Sequence, residues 1–379
     1  MLGDGRTNAM PLAMAPEVDE DNPLAMSLLE LNAAPEAPRV LPADEEWDER
    51  RRLILRVWQD HMGELDEPGS GEIRPRRTEQ EPDAGIERRH VHIDGGAAGD
   101  IPAEILVPTH VDQPRPAVVA CHPTNVDGKR AVSTTVGERR TPYALELAMR
   151  GYVVAVPDML TAGERVFPGH DPFHTAPFYE QHPRSTMIAR NHVDMVSTVN
   201  ALCGMSEVDP TRIAAIGHSL GGYTATFLAG LDDRVGAVVN SCGFAPFRHD
   251  LKPTRWGLRG WYSHLPRVNS ELARGRVPFE FSQIASLMAP KPIFNYSGQL
   301  DAIFPHWRAI TEALGEMGRL YETLGHADRF VSLMGWGPHA FPPEIRQQSY
   351  DFLDHWLGAP DTDSTTGNAV NDDRRGDAT

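Results

Sequence analysis

The chain has 379 residues, 40% hydrophobic and 23% charged, which is ample length and apolar content for a large buried core. A formal net charge of -17 excludes the clustered Lys and Arg that phosphate neutralisation by a nucleic-acid binder needs. No run of about 18 apolar residues occurs, which argues against a helical membrane span. Three cysteines, Cys121, Cys203 and Cys242, are odd in number and too widely spaced for a disulfide framework.

Residues 1–44, rich in Ala, Pro, Met and acidic side chains, read as a flexible extension. Near its start only Arg6 is basic, and Pro11, Pro16 and Pro23 break the apolar stretches. No secretory signal is read there, and the cytoplasm is the expected location. A helix is predicted from Asp44 to Met62, where Leu53, Ile54, Val57, Trp58 and Met62 recur at near-helical spacing before Gly63. From Ile73 to Pro108 the pattern is β-rich, and residues 90–93 and 101–107 read as paired strands around Asp94-Gly95-Gly96.

From Pro114 onward strands and helices alternate. Strands are predicted at 117–120, 152–156, 212–216, 235–239, 292–296 and 330–334, and helices at 143–149, 188–202 and after residue 219. Near-continuous apolar strands separated by helices require a mostly parallel sheet covered by helices on both faces. Residues 244–282 interrupt the alternation, carry Trp256, Trp261 and Tyr262, and read as a small cap. The expected organisation is one α/β domain over 45–357 with that cap inserted, followed by a polar, disordered tail over 358–379.

The chemistry centres on Gly217-His218-Ser219-Leu220-Gly221-Gly222, directly after the apolar strand. Gly-x-Ser-x-Gly between a strand and a helix reads as a nucleophile elbow. The serine sits on a strained turn, and the glycines let neighbouring backbone pass where a Cβ would clash. A serine nucleophile needs a base to take its proton and an acid to orient the base. Asp301 and His339 follow the strands at 292–296 and 330–334, in the order serine, acid, histidine. All three therefore project from one edge of the sheet, where open α/β sheets bind their ligands. Asp328 is the alternative acid, and among 16 histidines it is position that singles out His339.

An oxyanion needs two facing N–H donors. One is expected from Leu220. The other is expected from the loop Cys121-His122-Pro123-Thr124-Asn125, where Pro123 has no N–H, Thr124 is the first choice and Asn125 the second. Candidate substrate-binding side chains are His122, Phe173 in the loop after Asp158, and Trp256 and Trp261 in the cap. His90 and His92 share a strand face, and His170, His174 and His182 share a loop. Neither group has Asp, Glu or Cys ligands at recognisable spacing, so no metal site is read.

Several segments together resemble one family. They are Ala120-Cys121-His122-Pro123, Gly128-Lys129, Tyr143 to Ala148, Arg150 to Val154, Pro157-Asp158, Gly163-Glu164-Arg165 and Val208 to Ile213. Asn240 to Phe244, Ala289 to Pro292 and His339 to Glu344 complete the set. Over about residues 45–357 the chain is similar to the dienelactone-hydrolase and acetyl-xylan-esterase-like branch of the α/β hydrolases. The resemblance implies the α/β-hydrolase fold and a Ser-His-Asp esterase without metal or organic cofactor. Dienelactone hydrolases proper carry cysteine where Ser219 stands, and the His-Gly-Gly-Gly signature of another branch is replaced by His122-Pro123-Thr124. The expected activity is cleavage of a small-molecule carboxylic ester, with a small acyl or acetyl group favoured. An amidase or peptidase using the same triad, and a non-catalytic binding protein on this scaffold, are the alternatives. A homo-oligomer stays open.

Overall fold

The structure is a computed structural model and describes residues 21–33, 47–109 and 111–359. Its strands are β1 (Met26–Ser27), β2 (Ile73–Glu81), β3 (Ile86–Asp94), β4 (Asp100–Pro108), β5 (Arg115–Cys121), β6 (Val153–Pro157), β7 (Val208–His218), β8 (Val235–Ser241), β9 (Arg276–Val277), β10 (Ile293–Gly298) and β11 (Phe330–Gly335). Its helices are α1 (Leu28–Ala33), α2 (Trp47–Met62), α3 (Arg130–Ser133), α4 (Tyr143–Met149), α5 (Ala176–Gln181), α6 (Met187–Cys203), α7 (Leu220–Leu231), α8 (Arg267–Ala273), α9 (Phe281–Ser286), α10 (Trp307–Thr323) and α11 (Pro343–Leu357).

Among the described residues, nine strands form one sheet in the order β11-β10-β8-β7-β5-β6-β4-β3-β2. From β6 to β11 all neighbours are parallel, whereas β4 joins β6 antiparallel and β3 and β2 continue as an antiparallel meander. Alternate residues of the central strands feed two cores. Ala117, Val119 and Cys121 face a layer holding α2, α6, α7, α9 and α10, while Val118 and Ala120 face α4 and α11. Both faces of β5 are therefore dry, which is why the strand reads as an unbroken apolar run.

β2 shows the opposite pattern. Its sequence, Ile-Arg-Pro-Arg-Arg-Thr-Glu-Gln-Glu, is largely exposed, and its register shifts between Pro75 and Arg77. Charge, proline and a bulge at a sheet edge discourage pairing with another chain, and they also hide the strand from periodicity analysis.

The structure corrects the expected flexible extension at residues 21–33. β1 pairs antiparallel with β9, Leu24 and Leu31 are buried, and Asn22 Nδ2 donates to Pro278 O at 2.9 Å. This segment straps the cap region through contacts more than 240 residues distant in sequence, which no local pattern encodes. The remainder of the expected extension, and the tail from residue 360, lie outside the described residues. Among the described residues no helix is long and apolar enough to cross a membrane.

The predicted α4, α6 and α7 are found close to their expected ends. The α2 helix is described from Trp47, and Gly63 ends it with φ +78°. A Cβ at Gly63 would lie 2.2 Å from Arg184 O, so the stop also allows the loop before α6 to pass. The cap region holds a 3-10 helix at Pro253–Trp256, α8, β9 and the start of α9, with Glu280 closing the N-terminus of α9 in a reciprocal capping box with Gln283.

Candidate active site

Because β5, β7, β8, β10 and β11 run parallel, their carboxyl ends open onto one edge of the sheet. Ser219 follows β7, Thr124 follows β5, Asp301 follows β10 and His339 follows β11.

Ser219 adopts φ 56° and ψ -119°, a conformation that L-residues avoid, between the last residue of β7 and the first of α7. Its N–H donates to Ser241 O at 2.7 Å, tying the turn to the end of β8. The glycines are required by close backbone approach. A Cβ on Gly217 would lie 2.1 Å from Gly221 C and O, and one on Gly221 would lie 1.9 Å from Cys121 O. The nucleophile helix thus packs directly against the end of β5, bringing the Ser219 turn beside the loop that carries Thr124. Leu220 is the first residue of α7, so its N–H belongs to the set that the helix leaves without an internal partner.

Asp301 and His339 are hydrogen-bonded, Nδ1 to Oδ2, at 2.6 Å. The turns that carry them are fastened together by Gln299 N–H to Gly335 O at 2.9 Å and Leu300 N–H to Gly337 O at 3.0 Å. Gly298 has no side chain where one would lie 2.4 Å from Gly337 O. Burial pushes the Asp301 carboxyl up. The bond from His339 and the amides of Phe304 and Ile303 outweigh it, and the pKa is lowered overall. An ionised Asp301 accepting from Nδ1–H leaves His339 Nε2 as the basic nitrogen. Asp328, the alternative acid, is exposed in the turn preceding β11, at the opposite end of that strand.

Three neighbours of this pair escaped sequence reasoning. The His218 ring lies 4.9 Å from the His339 ring and the Phe304 ring 5.6 Å from it. Burial, with His339 adding to it, drives the His218 pKa down to about 3, so His218 is a neutral flank. It occupies the variable position of the Gly-x-Ser motif, which was the available signal. Cys242 is the third. Its Sγ, a carboxylate oxygen of Asp301 and a ring nitrogen of His339 lie within 4.8 Å of one another, a set that could hold a metal ion. Its thiol is pushed up to about 12 by burial and Asp301, and Sγ donates to Ala340 O at 3.5 Å.

The four candidate substrate-binding residues part company. The His122 ring is fully buried, with Nε2 accepting from Met159 N–H at 3.0 Å and Nδ1 donating to Pro123 O at 2.7 Å. Both nitrogens serve the scaffold, so the ring anchors a loop instead of meeting a substrate. Phe173 is buried edge-on against Tyr262, and Trp256 is buried among Tyr223, His264 and Phe281. Trp261 differs: it is 46% exposed, and the Arg259 guanidinium lies 4.1 Å from its ring centroid. The cap is joined to the nucleophile helix by Tyr223 Oη and His264 Nε2 at 2.6 Å.

A protein-family model described as "alpha/beta hydrolase fold" matches residues 138–285. A protein of Bacillus subtilis (strain 168) named "Putative hydrolase YtaP" is 25% identical over 313 residues, covering 82% of this chain and 99% of that protein. Among solved structures, a glucuronoyl esterase from Solibacter usitatus superposes with a TM-score of 0.64 at 17% identity, over 86% of this chain and 97% of that chain. A "putative acetyl xylan esterase" from Bacteroides fragilis NCTC 9343 superposes with a TM-score of 0.59 at 16% identity, over 81% and 80% of the two chains.

Proposed function

The chain has the α/β-hydrolase fold, and from that premise we propose that it is a serine hydrolase cleaving carboxylic esters through an acyl-enzyme. The observation that carries this reading is the 2.6 Å Asp301–His339 pair, set on the same sheet edge as a serine held at φ 56°.

In the reaction, His339 Nε2 takes the Ser219 proton as Oγ attacks the ester carbonyl. Asp301 holds the imidazole in the required tautomer and stabilises the imidazolium that forms. The carbonyl oxygen becomes an oxyanion facing the amides of Leu220 and Thr124, the former aided by the positive end of α7. His339 then protonates the departing alcohol and later activates water against the acyl-Ser219 ester. The acyl group proposed is small or acetyl, as the resemblance of the sequence suggests. The acetyl xylan esterase name of one structural neighbour points the same way.

Turnover of p-nitrophenyl esters from acetate to decanoate by wild type and Ser219→Ala tests the proposal. Activity greatest on acetate and abolished in Ser219→Ala is expected. A variant that keeps a tenth of the activity would remove Ser219 from the mechanism, and faster cleavage of a matched anilide would make the enzyme an amidase.

A further inference from the structure

The segments Gly128-Lys129, Pro157-Asp158 and Gly163-Glu164-Arg165 lie apart in sequence and meet in one ionic cluster, with Lys129 and Asp158 buried and the Glu164 side chain exposed. Asp158 is fully buried after β6. Its Oδ1 accepts the Lys129 N–H at 2.7 Å, and its Oδ2 accepts Lys129 Nζ at 2.6 Å and the Glu164 N–H at 3.0 Å. Lys129 Nζ also donates to Glu164 Oε1 at 2.6 Å, and Arg165 Nη1 donates to Asp158 O at 3.0 Å. A Cβ on Gly128 (φ +54°) or Gly163 (φ +56°) would lie 2.1 or 2.3 Å from Asp158 Oδ1, so the carboxylate fills a cradle that only glycine leaves open.

Lys129 closes the loop that leaves β5, and three anchors of that loop end on residues 158–163, besides the contacts of Asn125 and Asp127 with Arg139 and Arg140. At its start, His122 Nε2 accepts the Met159 N–H; midway, Val126 O accepts the Gly163 N–H at 3.1 Å; at its end stand the two Lys129 bonds to Asp158. Thr124 lies exposed between the first two anchors. We propose that Lys129 and Asp158 are positioning residues for the oxyanion hole, latching loop 122–129 so that the Thr124 N–H faces the developing oxyanion. The inference rests on the reading of Ser219 as the acylating nucleophile.

A buried ion pair adds little net stability over an apolar pair of equal volume, but it fixes direction, which an oxyanion donor needs. Burial opposes the Lys129 charge, yet Asp158 and Glu164 outweigh it and raise its pKa. Glu164 in turn is lowered by its bond from Lys129. Lys129 and Glu164 therefore stay charged throughout the pH range in which a histidine base works.

The test compares wild type, Ser219→Ala, Lys129→Met and Glu164→Gln on the best p-nitrophenyl ester, with active sites counted by fluorophosphonate titration. Inhibition by a trifluoromethyl ketone, which forms an oxyanion on Ser219, is measured alongside. For Lys129→Met, kcat per titrated site is expected to fall about 10- to 100-fold with KM changed less than about threefold, and ketone affinity to weaken in step with kcat/KM. Wild-type kcat and ketone affinity per titrated site, even with a lowered Tm, would make the cluster purely structural and overturn the latch. Should Lys129→Met fail to fold, Glu164→Gln decides. This variant loses only the outer arm of the latch, so a fall in kcat at unchanged Tm supports it and unchanged kcat overturns it. Loss of turnover in Ser219→Ala separates the two readings. With that loss, a normal Lys129 variant removes the latch alone; without it, the acylation reading falls and the latch with it.

Discussion

Asp301 and His339 are joined by a carboxylate that works in two directions. Oδ2 accepts a hydrogen bond from His339 Nδ1–H at 2.6 Å, while Oδ1 accepts the N–H groups of Ile303 at 2.7 Å and Phe304 at 2.9 Å. The second set builds the turn that brings the Phe304 ring against His339. One side chain therefore holds the His339 ring directly and shapes its surroundings.

Asp301→Asn separates these roles. The asparagine oxygen can still accept the two turn amides, but its NH2 presents a donor to Nδ1 and selects the wrong imidazole tautomer. By analogy with other triads, kcat is expected to fall about 10⁴-fold. KM should stay within a few fold and the far-ultraviolet spectrum should be unchanged. Steady-state kinetics on the best ester decides, and a loss below tenfold would show that His339 does not need Asp301.

Ser219→Gly should be inactive and more stable than Ser219→Ala. Both lose the nucleophile, but only glycine adopts φ 56° without strain. Backbone strain of this kind is of order 1–3 kcal/mol, so a difference of about 1 kcal/mol in urea unfolding is expected. Equal stability of the two variants would mean that the elbow stores no strain.

At Gly221 a methyl group has no room. A Cβ there would meet the backbone of Cys121 at 1.9 Å, and no side-chain rotation relieves it. Gly221→Ala must push α7 away from β5, separating the Leu220 amide from the loop of Thr124. Overpacking typically costs about 1–3 kcal/mol. Thermal unfolding should show that loss together with a fall in kcat, whereas wild-type values for both would contradict the contact.

Glu280 ties the start of the cap to α9. Its Oε1 accepts the N–H groups of Phe247 and Phe281, each at 2.7 Å, and Oε2 accepts that of Arg248 at 3.2 Å. Burial, opposed by those bonds, raises its pKa to about 7. An unfolded glutamate titrates near ~4.3. Between the two values the folded chain keeps a proton that the unfolded chain releases, so this group makes stability fall as pH rises from ~4.3 to about 7 and adds no change above. The span corresponds to roughly 4 kcal/mol. Tm measured at pH 5 and pH 8 should differ less in Glu280→Gln than in wild type; an equal difference would assign the pH dependence elsewhere.

How much of this was legible in the chain depends on how local each feature is. The Ser219 elbow announces itself because glycines must occupy fixed offsets around a strained residue. Asp301 and His339 were readable because each lies in the turn that follows a strand, β10 and β11. His218 was marked only by its place in the Gly-x-Ser motif, and the positions of Phe304 and Cys242 carried no local signal; that all three come near His339 arises from the register of β7, β8, β10 and β11. His122 looked like a substrate contact by its place after β5, until its two nitrogens were found bonded to Met159 and Pro123. The strap at residues 21–33 was misread because two residues of β1 pairing with β9 leave no periodic trace.

By itself, then, the sequence determined the alternating α/β architecture, the elbow and the chain order of Ser219, Asp301 and His339 after their strands. Those properties depend on backbone geometry and side-chain burial within a few residues of each position. Only the tertiary structure decided which side chains meet across the sheet edge: that Asp301 bonds His339, that Lys129 reaches Asp158, and that Trp261 is exposed where Trp256 is buried. Contacts between distant segments are set by strand order, register and close packing of whole elements. A shift of one residue in register redirects every side chain on a strand, and no short stretch of sequence carries that information.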